Sequence, residues 1–264
     1  MIPKFIHYCW FGNTPLPDEV KYYIDTWKKH CPDYKIIQWN EKNFDINCCT
    51  YVKEAYTKKK WAFVADYARL YALVNYGGIY LDTDVEVLKN LDSLLKYEAF
   101  CGFESDTKLC TAVLGCQPHF SIYDDLMKLY QNKYFILDNG MLNEEPNVIP
   151  FTQICCKKGL ILNGKEQAIF GLKVFPSDCF SPKSYVTGNI NLTSNTLTIH
   201  HFSESWKTKS EKKIHNRETV LIRKYGIKYG RIIAKVVNFP LRSINAVKKR
   251  GIKNEIKEFI SRLN

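Results

Sequence analysis

The sequence predicts an α/β fold containing parallel sheet. Three observations carry this prediction: a strand–helix–strand unit over residues 4–39, a long apolar helix that stops at a double glycine, and a buried strand that runs into an acidic turn. Lys4–Trp10 alternates polar and apolar residues and is rich in aromatics, so it reads as a strand. Gly12-Asn13-Thr14-Pro15 supplies turn residues. A helix then spans 18–30, with Val20, Ile24 and Trp27 on one face and Pro32 stopping it. Residues 35–39, Lys-Ile-Ile-Gln-Trp, form the second strand. That order and spacing describe a βαβ unit, whose strands lie parallel.

Residues 61–76 have high helix propensity and are apolar nearly all round, which predicts a buried helix capped by Gly77-Gly78. Asp66 and Arg69 interrupt the apolar surface at i and i+3, on one face. Buried charge is costly unless it is paired or holds a polar ligand. As an isolated intrahelical pair, Asp66–Arg69 is expected to tolerate replacement of Arg69 by leucine without loss of stability. Ile79-Tyr80-Leu81 followed by Asp82-Thr83-Asp84 predicts a buried strand ending in two carboxylates. In open α/β sheets ligands bind beyond the carboxyl ends of strands, and carboxylates placed there suit a hard divalent cation. Further on, 99–103 and 111–116 read as strands, 119–131 as a helix, 137–152 as a long irregular loop, and 196–199 as a strand leading to His200-His201.

Charge divides the chain. Of its 264 residues, 1–206 hold 21 Lys and Arg against 23 Asp and Glu, whereas 207–264 hold 17 against 4. A near-neutral domain (1–206) and a basic tail (207–264) are therefore expected. In the tail, Ile222, Tyr225, Tyr229, Ile232, Ile233 and Val236 follow helical spacing, with Arg223, Lys224, Lys228, Arg231 and Lys235 on the other side. Pro240 should break the chain before a second stripe from Ile252 to Leu263. Such a basic amphipathic segment suits an anionic membrane surface, and 219–264 is expected to be a peripheral anchor. Nucleic acid is not expected as a partner, because the aromatics are not interleaved as stacking platforms. The ten cysteines form no CxxC pair and read as reduced, structural thiols of a cytoplasmic protein. The N-terminus lacks the layout of a secretory signal, and no apolar run is long enough to span a bilayer.

Ile2-Pro3-Lys4 leading to Trp10-Phe11-Gly12, then Asp66-x-x-Arg69, then Tyr76-Gly77-Gly78-Ile79-Tyr80-Leu81-Asp82-Thr83-Asp84, then His200-His201 with Ser205-Trp206 form an ordered set. In that order they resemble the DXD-containing sugar-transferase family, which includes yeast initiating mannosyltransferases, clostridial glucosylating toxins and bacterial capsule or lipopolysaccharide enzymes. The resemblance implies a GT-A fold with a mixed, mostly parallel sheet. It further implies a nucleotide-sugar donor, with UDP-sugars favoured, a manganese or magnesium ion, and transfer with retention to a glycan or lipid-linked acceptor. By position, Trp10 would stack on the base, and Asp66 and Arg69 would contact sugar hydroxyls and phosphate. Asp84 would ligate the metal, while Asp82 would touch ribose or sugar, or the metal through water. His201 would be a further metal ligand, Ser205 and Trp206 would hold the diphosphate, and His200 would face the other way and pack. A bacterial surface-polysaccharide role at the inner face of the cell membrane is the expected setting.

Two other classes share parts of this pattern. Leu81-Asp82-Thr83-Asp84 is also similar to the nucleophile motif of haloacid-dehalogenase-like phosphatases, but Glu86 stands where those proteins carry Thr or Val. A non-catalytic lipid- or nucleic-acid-binding protein would account for the tail and leave the buried Asp66 and Arg69 unexplained.

Overall fold

The computed structural model describes residues 1–205 and 207–250, with side chains described to Val247. Trp206 and the second predicted stripe, Ile252 to Leu263, lie outside the described residues. Two compact units are distinguished, Met1–Ser184 with Ile190–Ser203, and Tyr185–Asn189 with Glu204 onward.

In chain order the first unit holds β1 (Phe5–Cys9), α1 (Asp18–His30), β2 (Lys35–Trp39), α2 (Thr50–Thr57), α3 (Trp61–Tyr76), β3 (Gly78–Leu81) and β4 (Val85–Val87). It continues through β5 (Ala99–Ser105), β6 (Lys108–Cys116), α4 (Ser121–Lys128), α5 (Val148–Lys157), β7 (Gln167–Ile169), β8 (Leu172–Phe175), α6 (Ser177–Phe180) and β9 (Thr198–His200). Seven strands form one sheet in the order β2-β1-β3-β6-β5-β8-β7. β1 pairs parallel with β2 and β3, and β5 with β8. β6 is antiparallel to β3 and β5, and β7 to β8. Five strands thus share one direction, the mixed, mostly parallel sheet expected of a GT-A domain.

Side chains alternate across this sheet. Tyr80 and Leu114 point into a core shared with α2, α3, α4 and α5. Ile79, Leu81 and Val113 point into a second core with Ile24 and Trp27 of α1 and Phe180 of α6. α3 ends where Gly77 turns at φ 63°, and a Cβ there would stand 2.9 Å from the Cys116 carbonyl oxygen. Glycine is what lets the apolar helix reverse directly into β3. The predicted loop over 137–152 is interrupted earlier than expected, since α5 begins at Val148 with Pro150 in its first turn, where a missing N–H costs no hydrogen bond.

β4 and β9 form a separate two-stranded antiparallel sheet with Val85 opposite His200. This ladder carries the late His200-His201 segment back to the acidic turn.

The second unit is dominated by α7 (Lys209–Arg250), which is helical on both sides of Gly226. Gly226 has φ 76° and ψ 166°, a conformation essentially reserved for glycine. The two arms fold back on each other. A Cβ on Gly230 would lie 2.5 Å from the Ile222 Cα, Asn238 Nδ2 donates to the Ile214 carbonyl at 3.3 Å, and Arg242 pairs with Glu218 at 3.1 Å. Ile222, Ala234 and Asn238 are buried by this pairing. The stripe predicted as one apolar face is therefore divided: Ile222 faces the partner arm, while Tyr225, Tyr229, Ile232 and Val236 are exposed. Pro240 lies within the helical second arm and does not end it. No described helix is long and apolar enough to cross a membrane.

Candidate active site

Five strands point their carboxyl ends to one edge, and β3 delivers Asp82 there. The Asp82 N–H donates to the Ala112 carbonyl at 2.9 Å, extending the ladder one residue beyond β3. The Val85 N–H then closes a turn onto the Asp82 carbonyl at 3.0 Å, which sets Asp84 on the way into β4.

Behind the turn, α3 presents its two charged residues. Arg69 is buried and joins two carboxylates, with Nη2 2.9 Å from Asp82 Oδ1 and 3.4 Å from Asp66 Oδ1. Its Nη1 donates to the Thr111 carbonyl at 2.9 Å, and its guanidinium stacks 4.7 Å from the Tyr80 ring centroid. The Tyr80 hydroxyl also donates to Asp82 Oδ1, at 2.9 Å. Asp82 Oδ1 is thereby doubly bound, while Oδ2 receives no hydrogen bond from the described residues. Burial opposes the Arg69 charge, but Asp82, with Tyr80 and Asp66, holds its pKa well above the usual value. Burial raises the Asp66 carboxyl to about 6 despite the opposing pull of Arg69. Asn147, just ahead of α5, completes this buried cluster. Its N–H donates to Asp66 Oδ2 at 3.3 Å, its Nδ2 donates to the Asp66 carbonyl at 3.1 Å, and its buried Oδ1 has no partner among the described residues.

Asp84 is almost fully buried. The Ser203 N–H donates to its Oδ2 at 2.7 Å, His200 Nε2 stands 3.5 Å from its Oδ1, and the His201 N–H donates to its carbonyl at 2.9 Å. Burial would raise the Asp84 carboxyl, but His200 and the Ser203 N–H outweigh it and hold the carboxyl well below the usual range. Conversely, burial would lower His200, and Asp84 holds it well above the ordinary imidazole value. Ligand atoms of Asp82, Asp84 and His200 lie within 4.8 Å of one another.

The sequence assigned the metal-binding role to His201 and packing to His200; the structure places them the other way round relative to the aspartates. His201 stacks on Tyr23 at 4.9 Å, and its Nε2 bonds Glu86 Oε2 at 2.8 Å. The ladder register decides this, because His200 stands opposite Val85, next to Asp84. Trp10 follows β1 at the same edge as Asp82, half-buried, with its indole N–H on the Thr14 carbonyl at 2.8 Å. Ser205 belongs to the second unit and is exposed. Tyr80, Asn147, His200 and Ser203 are the site residues that sequence reasoning did not single out. Only Tyr80 carried a signal, as the polar tip of a buried strand two residues from Asp82.

Two carboxylates and an imidazole form an oxygen-rich donor set suited to manganese or magnesium, and His200 Nδ1 is buried without a hydrogen-bond partner among the described residues. These residues fit such an ion.

The fold and this acidic site resemble a sugar-transferase domain of the DXD type. Residues 17–101 match the family model described as a glycosyltransferase sugar-binding region containing DXD motif. Over that segment the chain is similar to the DXD-containing glycosyltransferase family. A mannosyl phosphorylinositol ceramide synthase of Saccharomyces cerevisiae is 31% identical over 147 residues, covering 52% of this chain and 38% of the relative. An uncharacterised glycosyltransferase of Acanthamoeba polyphaga mimivirus is 32% identical over 138 residues, covering 48% of this chain and 55% of the relative. The chain thus spans only about a third to a half of these relatives. Among solved structures, PaToxG glycosyltransferase is similar with a TM-score of 0.48 and 21% identity, covering 60% of this chain and 69% of that one. Galactosyltransferase LgtC with donor and acceptor sugar analogues gives 0.41 and 14%, covering 88% and 95%.

Proposed function

We propose that the chain is a metal-dependent retaining glycosyltransferase that moves a hexose or N-acetylhexosamine from a nucleotide-diphosphate sugar to a hydroxyl of a glycan or lipid-linked acceptor. The observation that carries this reading is the convergence of Asp82, Asp84 and His200 in front of the buried Asp66–Arg69 pair. A manganese or magnesium ion there would neutralise charge on the departing diphosphate. Asp84 and His200 would hold the ion, with Asp82 Oδ2 available to it directly or through water. Arg69 and Tyr80 fix Asp82 by occupying its other oxygen, so the carboxylate is oriented before donor arrives. Asp66 and the free Oδ1 of Asn147 supply acceptors and a rigid wall for sugar hydroxyls. Trp10 would cover the base, and Ser205, Trp206 and His201 would act on the diphosphate side. Among the described residues no nucleophile stands out beside the aspartates, so a front-face departure, with the diphosphate taking the acceptor proton, fits the site.

A UDP-sugar donor is the first choice. The names of the curated relatives favour a second, a mannosyl donor with a sphingolipid head group as acceptor. Either acceptor is presented at a membrane surface, which the exposed apolar and basic arms of α7 would suit, on the cytoplasmic leaflet and in surface-polysaccharide synthesis on the first reading. The test is nucleotide release from a panel of UDP- and GDP-sugars with manganese. Release by the natural chain and its loss on chelation support the reading. Absence of release from every donor, with and without lipid and glycan acceptors, overturns it.

A further inference from the structure

His200 has a second set of neighbours. Glu104 near the end of β5, Cys110 on β6 and His200 on β9 each offer a ligand atom, and these three atoms also lie within 4.8 Å of one another. The β5–β6 register shifts between Phe103 and Ser105, so Glu104 falls at an irregularity of the ladder. Such irregularities re-aim a side chain that strict alternation would point elsewhere. Cys110 is completely buried, and the Ser181 hydroxyl donates to its sulfur at 3.4 Å. Burial raises the Glu104 carboxyl, so a cation beside it would relieve a cost the fold otherwise bears.

The two donor sets differ in kind. Asp82 and Asp84 are hard oxygen ligands. A thiolate, an imidazole and one carboxylate form the borderline-soft set that zinc takes with three protein ligands and an open fourth position. Both sets require the same imidazole.

We infer that Glu104, Cys110 and His200 form a second cation position that takes zinc and ions like it, and that its occupancy withdraws His200 from the aspartate pair. Binding displaces the thiol proton of Cys110 and one imidazolium proton of His200 to solvent, and leaves the metal's oxidation state unchanged. Zinc would then act as a brake on manganese-supported transfer, a consequence that rests on the function proposed above, whereas binding itself does not.

The test uses the full chain with Cys48, Cys49 and Cys156, the thiols that are not buried, changed to serine. Cobalt(II) serves as the probe because a coordinated thiolate gives it a near-ultraviolet charge-transfer band. One cobalt per chain with that band is expected, displaced by zinc, lost in Cys110→Ser, weakened in Glu104→Gln and kept in Asp82→Asn. Circular dichroism of each variant separates lost ligation from lost folding, and Glu104→Gln, at a half-buried position, keeps the test decisive if Cys110→Ser does not fold. Absence of the band, its persistence in Cys110→Ser, or its loss in Asp82→Asn overturns the site. For the brake, zinc should inhibit manganese-supported nucleotide release by the natural chain, and Cys110→Ser should remove that inhibition. Equal inhibition of both overturns the link. The cobalt spectrum needs no sugar donor, so failure of the transferase reading is read separately.

Discussion

His7 sits at the centre of β1, fully buried, and its two ring nitrogens have different partners. Trp39 Nε1 donates to Nδ1 at 3.1 Å, so Nε2 carries the proton and donates to the Gly77 carbonyl at 2.8 Å. Burial lowers its pKa from 6.5 to about 4, against the raising effect of the Gly77 bond. The folded state then binds fewer protons than the unfolded chain between these values. Its contribution is complete above pH 6.5 and is lost as pH falls towards 4, an effect of about 3 kcal/mol. Asp66 has the opposite sign. Its folded pKa of about 6 exceeds the 3.8 of the unfolded chain, so stability falls as pH rises from 4 to 6, by a similar amount. Urea midpoints between pH 4 and 7 should expose both: His7→Gln should remove the acid loss, and Asp66→Asn the opposing slope. Parallel pH profiles for both variants and the natural chain would contradict this assignment. At Arg69 the structure alters the expectation drawn from sequence. The guanidinium serves Asp82 and the Thr111 carbonyl besides Asp66, so Arg69→Leu strands two carboxylates. It should cost about 3 kcal/mol, together with donor use, measured by denaturation and nucleotide release. Asp84→Asn keeps an acceptor for the Ser203 N–H. It should leave the melting temperature within a few degrees while abolishing manganese-dependent nucleotide binding by calorimetry.

Elements were legible where local chemistry decides them. α1, β2 and α3 fall at their predicted bounds because proline, alternation and Gly77 punctuate them. β7, β8 and α6 were not read, being three or four residues each and specified by neighbours in the sheet and not by their own pattern. The same reason hides His200: whether a strand residue faces a distant aspartate depends on pairing register, which one strand's sequence does not contain. Within the second unit, helical periodicity identified the arms of α7, but not which face each turns to the other. That is set by Gly230, whose lack of a side chain admits the Ile222 backbone. Gly230→Val should therefore separate the arms, costing roughly 1–3 kcal/mol. Limited proteolysis should then cut near Gly226 faster than in the natural chain; an unchanged pattern would mean the pairing tolerates the side chain.

For the molecule as a whole, the informative quantity is the distribution of charge, since the net +11 is the work of the residues after 206. The hairpin formed by α7 exposes Ile227, Tyr229, Ile232, Val236 and Phe239 along with Arg223, Lys224, Lys228, Arg231 and Lys235. The full chain should sediment with anionic vesicles at low salt and be released as ionic strength rises, because surface charge attraction decays within about 10 Å at 0.1 M. Ile227→Ser with Val236→Ser, both exposed, should weaken binding without unfolding the unit. Vesicle binding that ignores both salt and these substitutions would leave the arms as a docking element for protein.

The β4–β9 ladder also has a meaning in time. Asp84 and the Ser203 N–H that binds it are 119 positions apart. During synthesis the acidic turn leaves the ribosome long before the strand that completes it, at roughly 5–20 residues per second. For several seconds a nascent chain holds the aspartates without their histidine, and the Asp84 carboxylate has to wait for the last strand of the first unit to gain its partners.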